Sequence, residues 1–173
     1  MILYPKIYLD DAIEITPEFM KERNLKGIIL DVDNTVMNKR REMKEGVREW
    51  IDSLKAAGIK IVIVSNTNHI DKVEKSSKVL GLDYFHFSMK PLKRGFKKAK
   101  KYLDLKNEEI AVVGDQVFTD VLGGNRCHMY TILVKPLSKE DVWATVLNRK
   151  MEKIVLKRYK KKLEKEEQKN VHK

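Results

Sequence analysis

Apolar residues gather along this chain in two kinds of pattern. Four short runs are almost unbroken: "GIIL" ahead of Asp31, "IKIVIV" ahead of Ser65, "IAVV" ahead of Gly114 and "YTILV" ahead of Lys135. They are rich in Ile and Val and do not alternate with polar residues, which is how strands covered on both faces read. A weaker fifth run, "DYFHF" at 83–87, precedes Ser88. Between the runs, apolar residues recur at helical spacing. "REMKEGVREWIDSLKAAG" puts Val47, Trp50, Ile51 and Leu54 on one face and stops at Gly58. "HIDKVEKSSKVLG" turns Ile70, Val73, Val79 and Leu80 inward and closes at Gly81, and "PLKRGFKKAKKYLDL" does the same with Leu92, Phe96, Ala99 and Leu103.

Strand, helix and strand repeated in this way predict an α/β fold, with helices on both faces of a mostly parallel five-stranded sheet and right-handed crossovers. Residues 7–26 predict a short helix leading into the first strand, with Thr16 as N-cap, Pro17 at the first helical position and Asn24 near the stop. The last long pattern opens with Ser138 and Asp141 in a capping arrangement. It continues through Val142, Trp143, Val146, Leu147, Met151, Ile154 and Val155 as a packing face, and beyond Tyr159 it is nearly all charge. The expected organisation is one domain over residues 1–148, of which 1–26 lead in, and a basic helix or tail over 149–173.

In sheets of this kind, ligands sit beyond the carboxyl ends of the strands. The residues just past those ends are Asp31 and Asp33, Ser65 and Asn66, Lys90 a little after the weak strand, and Asp115. All are polar and would converge on one rim. Asp31 and Asp33 occupy alternate positions of an extended segment, so their side chains point the same way. Two carboxylates at the mouth of a buried strand are expensive to desolvate unless something positive or reactive lies between them.

Composition narrows the setting. At 173 residues the chain is one domain by size and long enough to bury a core. A single cysteine, Cys127, excludes an intramolecular disulfide and any multi-cysteine zinc site, and fits a reducing cytoplasm. The opening "MILYPKIYLDDAIEI" is broken by Lys6, Asp10 and Asp11, so it does not read as a signal peptide. No segment approaches ~18 uninterrupted apolar residues, the length a membrane span needs. The net charge of +11 is uneven: residues 149–173 hold 11 Lys and Arg against 4 Glu, leaving 25 basic and 21 acidic residues for the rest. Such a tail is drawn to nucleic acid or an anionic membrane face, or simply solubilises the chain end.

Carboxylates and one lysine on a single rim suit magnesium-assisted phosphoryl transfer. Mg²⁺ takes hard oxygen ligands, and Asp31 and Asp115 suit that role. A carboxylate can attack phosphorus and form an aspartyl phosphate, dividing one hard displacement into two easier ones. Its own charge repels the phosphate, so metal and ammonium must offset it, and Lys90 is the candidate ammonium. Asp33 is placed to protonate the leaving alcohol and then deprotonate water. Ser65 and the turn amides around Asn66 are placed to hold phosphoryl oxygens. Taken singly, Asp115 could be a helix cap and Ser65-Asn66 an ordinary turn. The four histidines share no spacing, and Cys127 beside His128 lacks a supporting motif.

"DVDNT" after a buried strand, "IVIVSN", the Lys of "SMKP" and "GDQVFTD" resemble, in order, the four motifs of the haloacid dehalogenase superfamily of phosphohydrolases. Detailed wording such as "GDQVFTDVLGGNR" and "ITPEFM" looks like the YqeG-type branch (subfamily IIIA), which is similar to mitochondrial phosphatidylglycerophosphate phosphatases. The resemblance implies a Rossmann-like core with Asp31 as nucleophile, Asp33 as acid/base with its backbone carbonyl on the metal, and Ser65 on phosphate. It implies that Lys90 stabilises the aspartyl phosphate, that Asp115 ligates Mg²⁺, and that Thr35 and Asp120 support these groups from behind. Ser88 in "FSMKP" departs from the small residue expected there.

Many superfamily members enclose small substrates under an inserted cap. Only 31 residues separate Asp33 from Ser65 and 24 separate Ser65 from Lys90, which one helix and one strand each use up, so no cap domain is expected. An open site favours large substrates that exclude water themselves. Basic residues add to this: Lys39, Arg40 and Arg41 in the first insert, and Lys93, Arg94, Lys97, Lys98, Lys100 and Lys101 in the third helix. The leading expectation is a cytoplasmic, Mg²⁺-dependent phosphatase acting on phosphatidylglycerophosphate, a lipid head group at the inner face of the membrane. The alternatives are a phosphatase of soluble phosphomonoesters or nucleic-acid 3′ ends, and a non-enzymatic RNA- or ribosome-binding module on the same scaffold.

Overall fold

A computed structural model describes residues 1–38, 40, 42–138 and 143–171, apart from the side chains of 143–149, 167 and 169–171. Lys39, Arg41, Asp141, Val142 and His172, and the side chains of Trp143, Val146 and Leu147, therefore lie outside the described residues. The elements run β1 (Ile7–Leu9), α1 (Pro17–Glu22), β2 (Gly27–Leu30), α2 (Val47–Ala56), β3 (Lys60–Val64) and α3 (Ile70–Leu80). They continue with β4 (Tyr84–Phe85), α4 (Lys93–Leu103), β5 (Ile110–Gly114), α5 (Leu122–Arg126), β6 (Tyr130–Val134) and α6 (Trp143–Val171). The strands form one sheet in the order β1-β6-β5-β2-β3-β4, with every pairing parallel.

Strand alternation sorts the core into layers. On one face Ile28, Leu30, Ile61, Ile63, Ala111 and Val113 meet Val47, Trp50, Ile51 and Leu54 of α2 and Val73 and Leu80 of α3. On the other, Ile29, Val62, Val64, Ile110 and Val112 meet Phe96, Ala99 and Leu103 of α4. The result is the expected three-layer α/β/α arrangement. Trp50 is anchored within its layer by a buried bond from its indole Nε1 to the Ile15 carbonyl at 2.9 Å. Asp31 comes directly after β2 at the level where Leu30 faces Ile63 of β3 and Val113 of β5, so the three central strands end together.

The sheet has six strands where the apolar pattern predicts five. The extra one, β1, lies in the segment expected to lead in as a helix, and it pairs along β6 from Ile7↔Ile132 to Leu9↔Val134. Ile7–Leu9 is too short a run to show as a strand from sequence, although Ile and Tyr favour strands, and it is the neighbouring strand that holds it extended. The helix beyond it is as expected, with the Thr16 hydroxyl capping Phe19 N at 3.2 Å and Pro17 at its start.

Some inward assignments are corrected. In α3, Val73, Ser76 and Leu80 are buried, whereas Ile70 and Val79 are exposed. Consecutive helical residues differ by about 100°, so Val79 leaves the face that Leu80 occupies. Leu92 is exposed because it caps α4 rather than lying inside it. In α6, Met151 and Ile154 face solvent, and the packed face is Glu152, Val155, Leu156 and Tyr159. Val155 and Leu156 pack on a small cluster of Val117, Val121 and Leu133, and Tyr159 meets the Tyr4 ring at 5.5 Å. Among the described residues no helix is long and apolar enough to cross a membrane.

Candidate active site

Four strand ends and their loops bring the candidate residues together. Asp31 leaves β2 with its amide still bonded to the Val113 carbonyl at 2.9 Å, so its backbone belongs to the sheet. The chain then turns at once, because the Val32 carbonyl accepts from the amides of Thr35, Val36 and Met37. Asn34 holds this turn in the left-handed region at φ 63°, which Asn tolerates better than most residues. Its side-chain oxygen accepts from Ser138 N at 2.8 Å, its amide donates to the Ser138 carbonyl at 3.1 Å, and its backbone carbonyl accepts from Leu137 N. Asn34 thus ties the Asp31–Asp33 turn to the loop after β6, a positioning role that only its place inside "DNT" hinted at.

Lys90 is the centre of the constellation. Its Nζ lies 2.6 Å from Asp31 Oδ1 and 2.7 Å from Asp120 Oδ1, and all three side chains are buried. Its backbone is clamped by Asn66, whose side chain accepts from Lys90 N at 2.6 Å and donates to the Lys90 carbonyl at 3.0 Å. The Asn66 side chain is therefore committed to holding Lys90. Ser65 is buried beside it, bonded through its backbone to Phe85 O and Ser88 N and through its hydroxyl to Thr67 N. Ser88, the unexpected residue, bonds to the Phe85 carbonyl at 3.1 Å and packs under Gly95 without displacing Lys90. The peptide bond from Lys90 to Pro91 is cis.

Asp120 reaches Lys90 from a π-helical turn, Val117–Val121, just after β5. Its second oxygen accepts from Gln116 N at 3.2 Å and Thr119 Oγ1 at 3.3 Å. Gly114 leaves the space for it: a Cβ there would lie 2.3 Å from Asp120 Cγ. Asp31, Asp115 and Asp120 each place a carboxylate oxygen within 4.8 Å of the others. Asp33 is half-buried on the same turn as Asp31, but its side chain is not one of those three. Thr35 is buried, and its Oγ1 has no hydrogen-bond partner among the described residues.

The electrostatics arise from this crowding. Burial pushes the Asp31 carboxyl well above the usual carboxylate range, and Asp120, Asp115 and Asp33 push the same way while Lys90 opposes them. Burial works against the Lys90 ammonium, but Asp120 and Asp31 outweigh it and hold the group firmly protonated. Three buried carboxyl groups thus crowd around one ammonium. The donors are all oxygens, the set that hard divalent cations prefer, so these residues fit such an ion. The arrangement thus sets oxygen ligands suited to a cation beside a buried carboxyl group and a buried ammonium.

The haloacid dehalogenase-like hydrolase family matches residues 36–128, a span that includes Ser65, Lys90, Asp115 and Asp120. The chain belongs to that family, and it is an enzyme of the phosphatase class, a phosphoric monoester hydrolase. Among its relatives, "Probable phosphatase YqeG" of Bacillus subtilis (strain 168) is 41% identical over 159 residues, 91% of this chain and 92% of that protein. The "Phosphatidylglycerophosphate phosphatase 1, chloroplastic/mitochondrial" of Arabidopsis thaliana is 28% identical over 168 residues. That match covers 91% of this chain and 48% of the plant protein, so the chain spans about half of that relative's length. An uncharacterized protein from Listeria monocytogenes serotype 4b shares the fold, with a TM-score of 0.56 at 20% identity over 68% of this chain and 85% of that one.

Proposed function

We propose that the protein is a Mg²⁺-dependent phosphatase acting through an aspartyl phosphate on Asp31, with phosphatidylglycerophosphate at an anionic membrane surface as its substrate. The observation that carries the chemistry is Lys90 Nζ, buried between Asp31 and Asp120 at 2.6 and 2.7 Å where the central strands end. Asp31 attacks phosphorus, the bond from phosphorus to the leaving oxygen breaks, and Asp33 delivers its proton to that oxygen. Asp33 then takes a proton from water as the water attacks the same phosphorus, releasing phosphate and restoring the Asp31 carboxylate. Lys90 and the Ser65 hydroxyl, with the Asn66 amide, meet the phosphoryl oxygens where negative charge builds. Asp31, Asp115 and the backbone carbonyl of Asp33 would hold Mg²⁺, which supplies charge neutralisation when bound. Asp120 keeps Lys90 charged and aimed, and Thr35 supports the turn from behind.

The lipid substrate rests on the name of the plant relative and on the short inserts that leave the rim without a cap. In this reading the enzyme works in the cytoplasm at the inner face of the membrane. The test is phosphate release from phosphatidylglycerophosphate in mixed micelles, with and without Mg²⁺, beside a panel of soluble sugar and nucleotide monophosphates. Metal-dependent turnover that strongly favours the lipid is expected. Turnover on soluble esters alone would retain the roles of Asp31 and Asp33 and discard the lipid.

A further inference from the structure

The loop that delivers Lys90 alternates two kinds of residue. Ser88 and Lys90 point inward and are buried, while Phe87 and Met89 point outward, 57% and 37% exposed. Both outward residues have left-handed backbone, with φ 47° at Phe87 and 49° at Met89. The zigzag is what turns Lys90 into the site, but it does not dictate which side chains flank it. Gly or Asn would occupy those two positions with less strain. A bulky apolar side chain in a left-handed position is an outlier that calls for a use of the side chain itself.

Their surroundings say what that use is. Leu92, 48% exposed, caps α4 just beyond, and Ile70, 48% exposed, starts α3 on the neighbouring loop, where Thr67 O accepts from Phe87 N at 3.0 Å. Four exposed apolar side chains thus lie on the loops that also carry Ser65, Asn66 and Lys90. Next to them α4 presents Lys93, Arg94, Lys97, Lys98 and Lys101 to solvent and carries no acidic residue along its length. Asp83 on this edge is engaged by the Tyr102 hydroxyl, and the exposed Asp71 follows Ile70 in the first turn of α3, so the basic charge of this face is concentrated on α4. A cavity of about 410 Å³ opens at the junction, and its lining includes Tyr84, Phe87, Met89, Arg94 and Lys98.

We propose that this rim is a docking face for an anionic phospholipid bilayer, with Phe87, Met89, Leu92 and Ile70 entering the interfacial region. The phosphate of one anionic lipid would then sit between Arg94 and Lys98. Apolar insertion beside a basic, acid-free helix is the combination that binds anionic membrane surfaces, where each cation adds attraction that salt screens. The inference rests on the lipid reading above and adds to it. It says which face meets the membrane, and docking there would bring the lipid to Lys90 and cover the uncapped site from water.

The test uses the full chain, wild type and Phe87→Ser/Met89→Ser, sedimented with vesicles of phosphatidylcholine alone or with phosphatidylglycerol. Hydrolysis of p-nitrophenyl phosphate and circular dichroism report on folding and chemistry. Met151→Ser/Ile154→Ser, which removes exposed apolar residues of α6, is the control. Wild type should bind only the anionic vesicles, less well as salt rises. The loop variant should bind about tenfold more weakly or worse, with soluble-ester turnover and fold retained. Arg94→Gln/Lys98→Gln should weaken binding and flatten its salt dependence, while the α6 control binds as wild type.

Unchanged vesicle binding by the loop variant overturns the docking face, as does equal loss in the α6 control. A wild-type dimer that the loop variant dissolves would overturn it too, making the face a contact between copies. Wild type that binds anionic vesicles through this loop but does not hydrolyse lipid-borne phosphate leaves the docking face standing and discards the proposed substrate, so the two failures are distinct.

Discussion

Gly114→Ala isolates the packing that holds the Lys90 centre together. Gly114 ends β5 without a positive φ, so alanine meets no backbone penalty there. The added Cβ would fall 2.3 Å from Cγ and 2.4 Å from Oδ2 of Asp120, inside contact distance. Asp120 cannot swing away freely, because Lys90 holds one oxygen at 2.7 Å and Gln116 N holds the other at 3.2 Å. Overpacking of this kind costs about 1–3 kcal/mol, and loosening a charged hydrogen bond adds about 1.5–3 kcal/mol, for a total of about 2.5–6 kcal/mol. For a chain of this size that lowers the melting temperature by about 5–24 °C. A double-mutant cycle gives the test, read by thermal unfolding and phosphate release. In an Asp120→Ala background the Cγ and Oδ2 contacts vanish, and of the three nearest atoms the Asp120 Cβ at 2.8 Å stays. The alanine penalty should then fall to about 1 kcal/mol, and the difference is the coupling energy. An undiminished penalty in that background would refute the reasoning, because the clash would then lie elsewhere.

Three further outcomes are expected. Lys90→Met should lower turnover by about 10²–10³-fold by removing a preorganised charge. It should also destabilise the protein by about 3–5 kcal/mol in urea titrations, because Asp31 and Asp120 lose their buried cation, and added divalent metal should restore part of that. Asn66→Ala removes both bonds that clamp the Lys90 backbone and should cost about 1–3 kcal/mol, with turnover reduced although no charged group has changed. Cys127 is buried, and burial pushes its thiol up against the pull of Lys93, Lys97 and Arg126. It should alkylate with iodoacetamide at pH 8 several-fold more slowly than free cysteine and at the ordinary rate once unfolded.

The parts of the fold legible in the amino-acid sequence are those fixed by local pattern. The central strands are unbroken apolar runs because both faces are covered, and the residues after them fall on one rim because parallel strands end together. β1 was not legible, since a run of three residues is too short to stand out even though Ile7 and Tyr8 favour strands, and pairing with β6 holds it extended. Ile70 and Leu92 misled for a different reason, because an apolar residue at a helix end satisfies the helical period without facing the core, and Val79 misled because it lies a 100° step away from Leu80. In the site, Asp31, Ser65, Lys90 and Asp115 are legible as the polar residues that lie just past the strand ends. The Asn66 clamp and the Asn34 bridge to Ser138 are not, because each depends on a contact far along the chain. Asp120 shows the same limit: its support of Lys90 was implied by family resemblance, whereas the close approach allowed by Gly114 and the π-helical turn appear only in three dimensions.

The most direct test of the account is a rapid acid quench of the wild-type enzyme turning over a ³²P-labelled phosphomonoester with Mg²⁺, and then peptide mapping of the trapped label. The account predicts an acid-stable, hydroxylamine-labile label on the peptide containing Asp31, absent from Asp31→Asn together with turnover. Label on another residue, or undiminished phosphate release by Asp31→Asn, would contradict it.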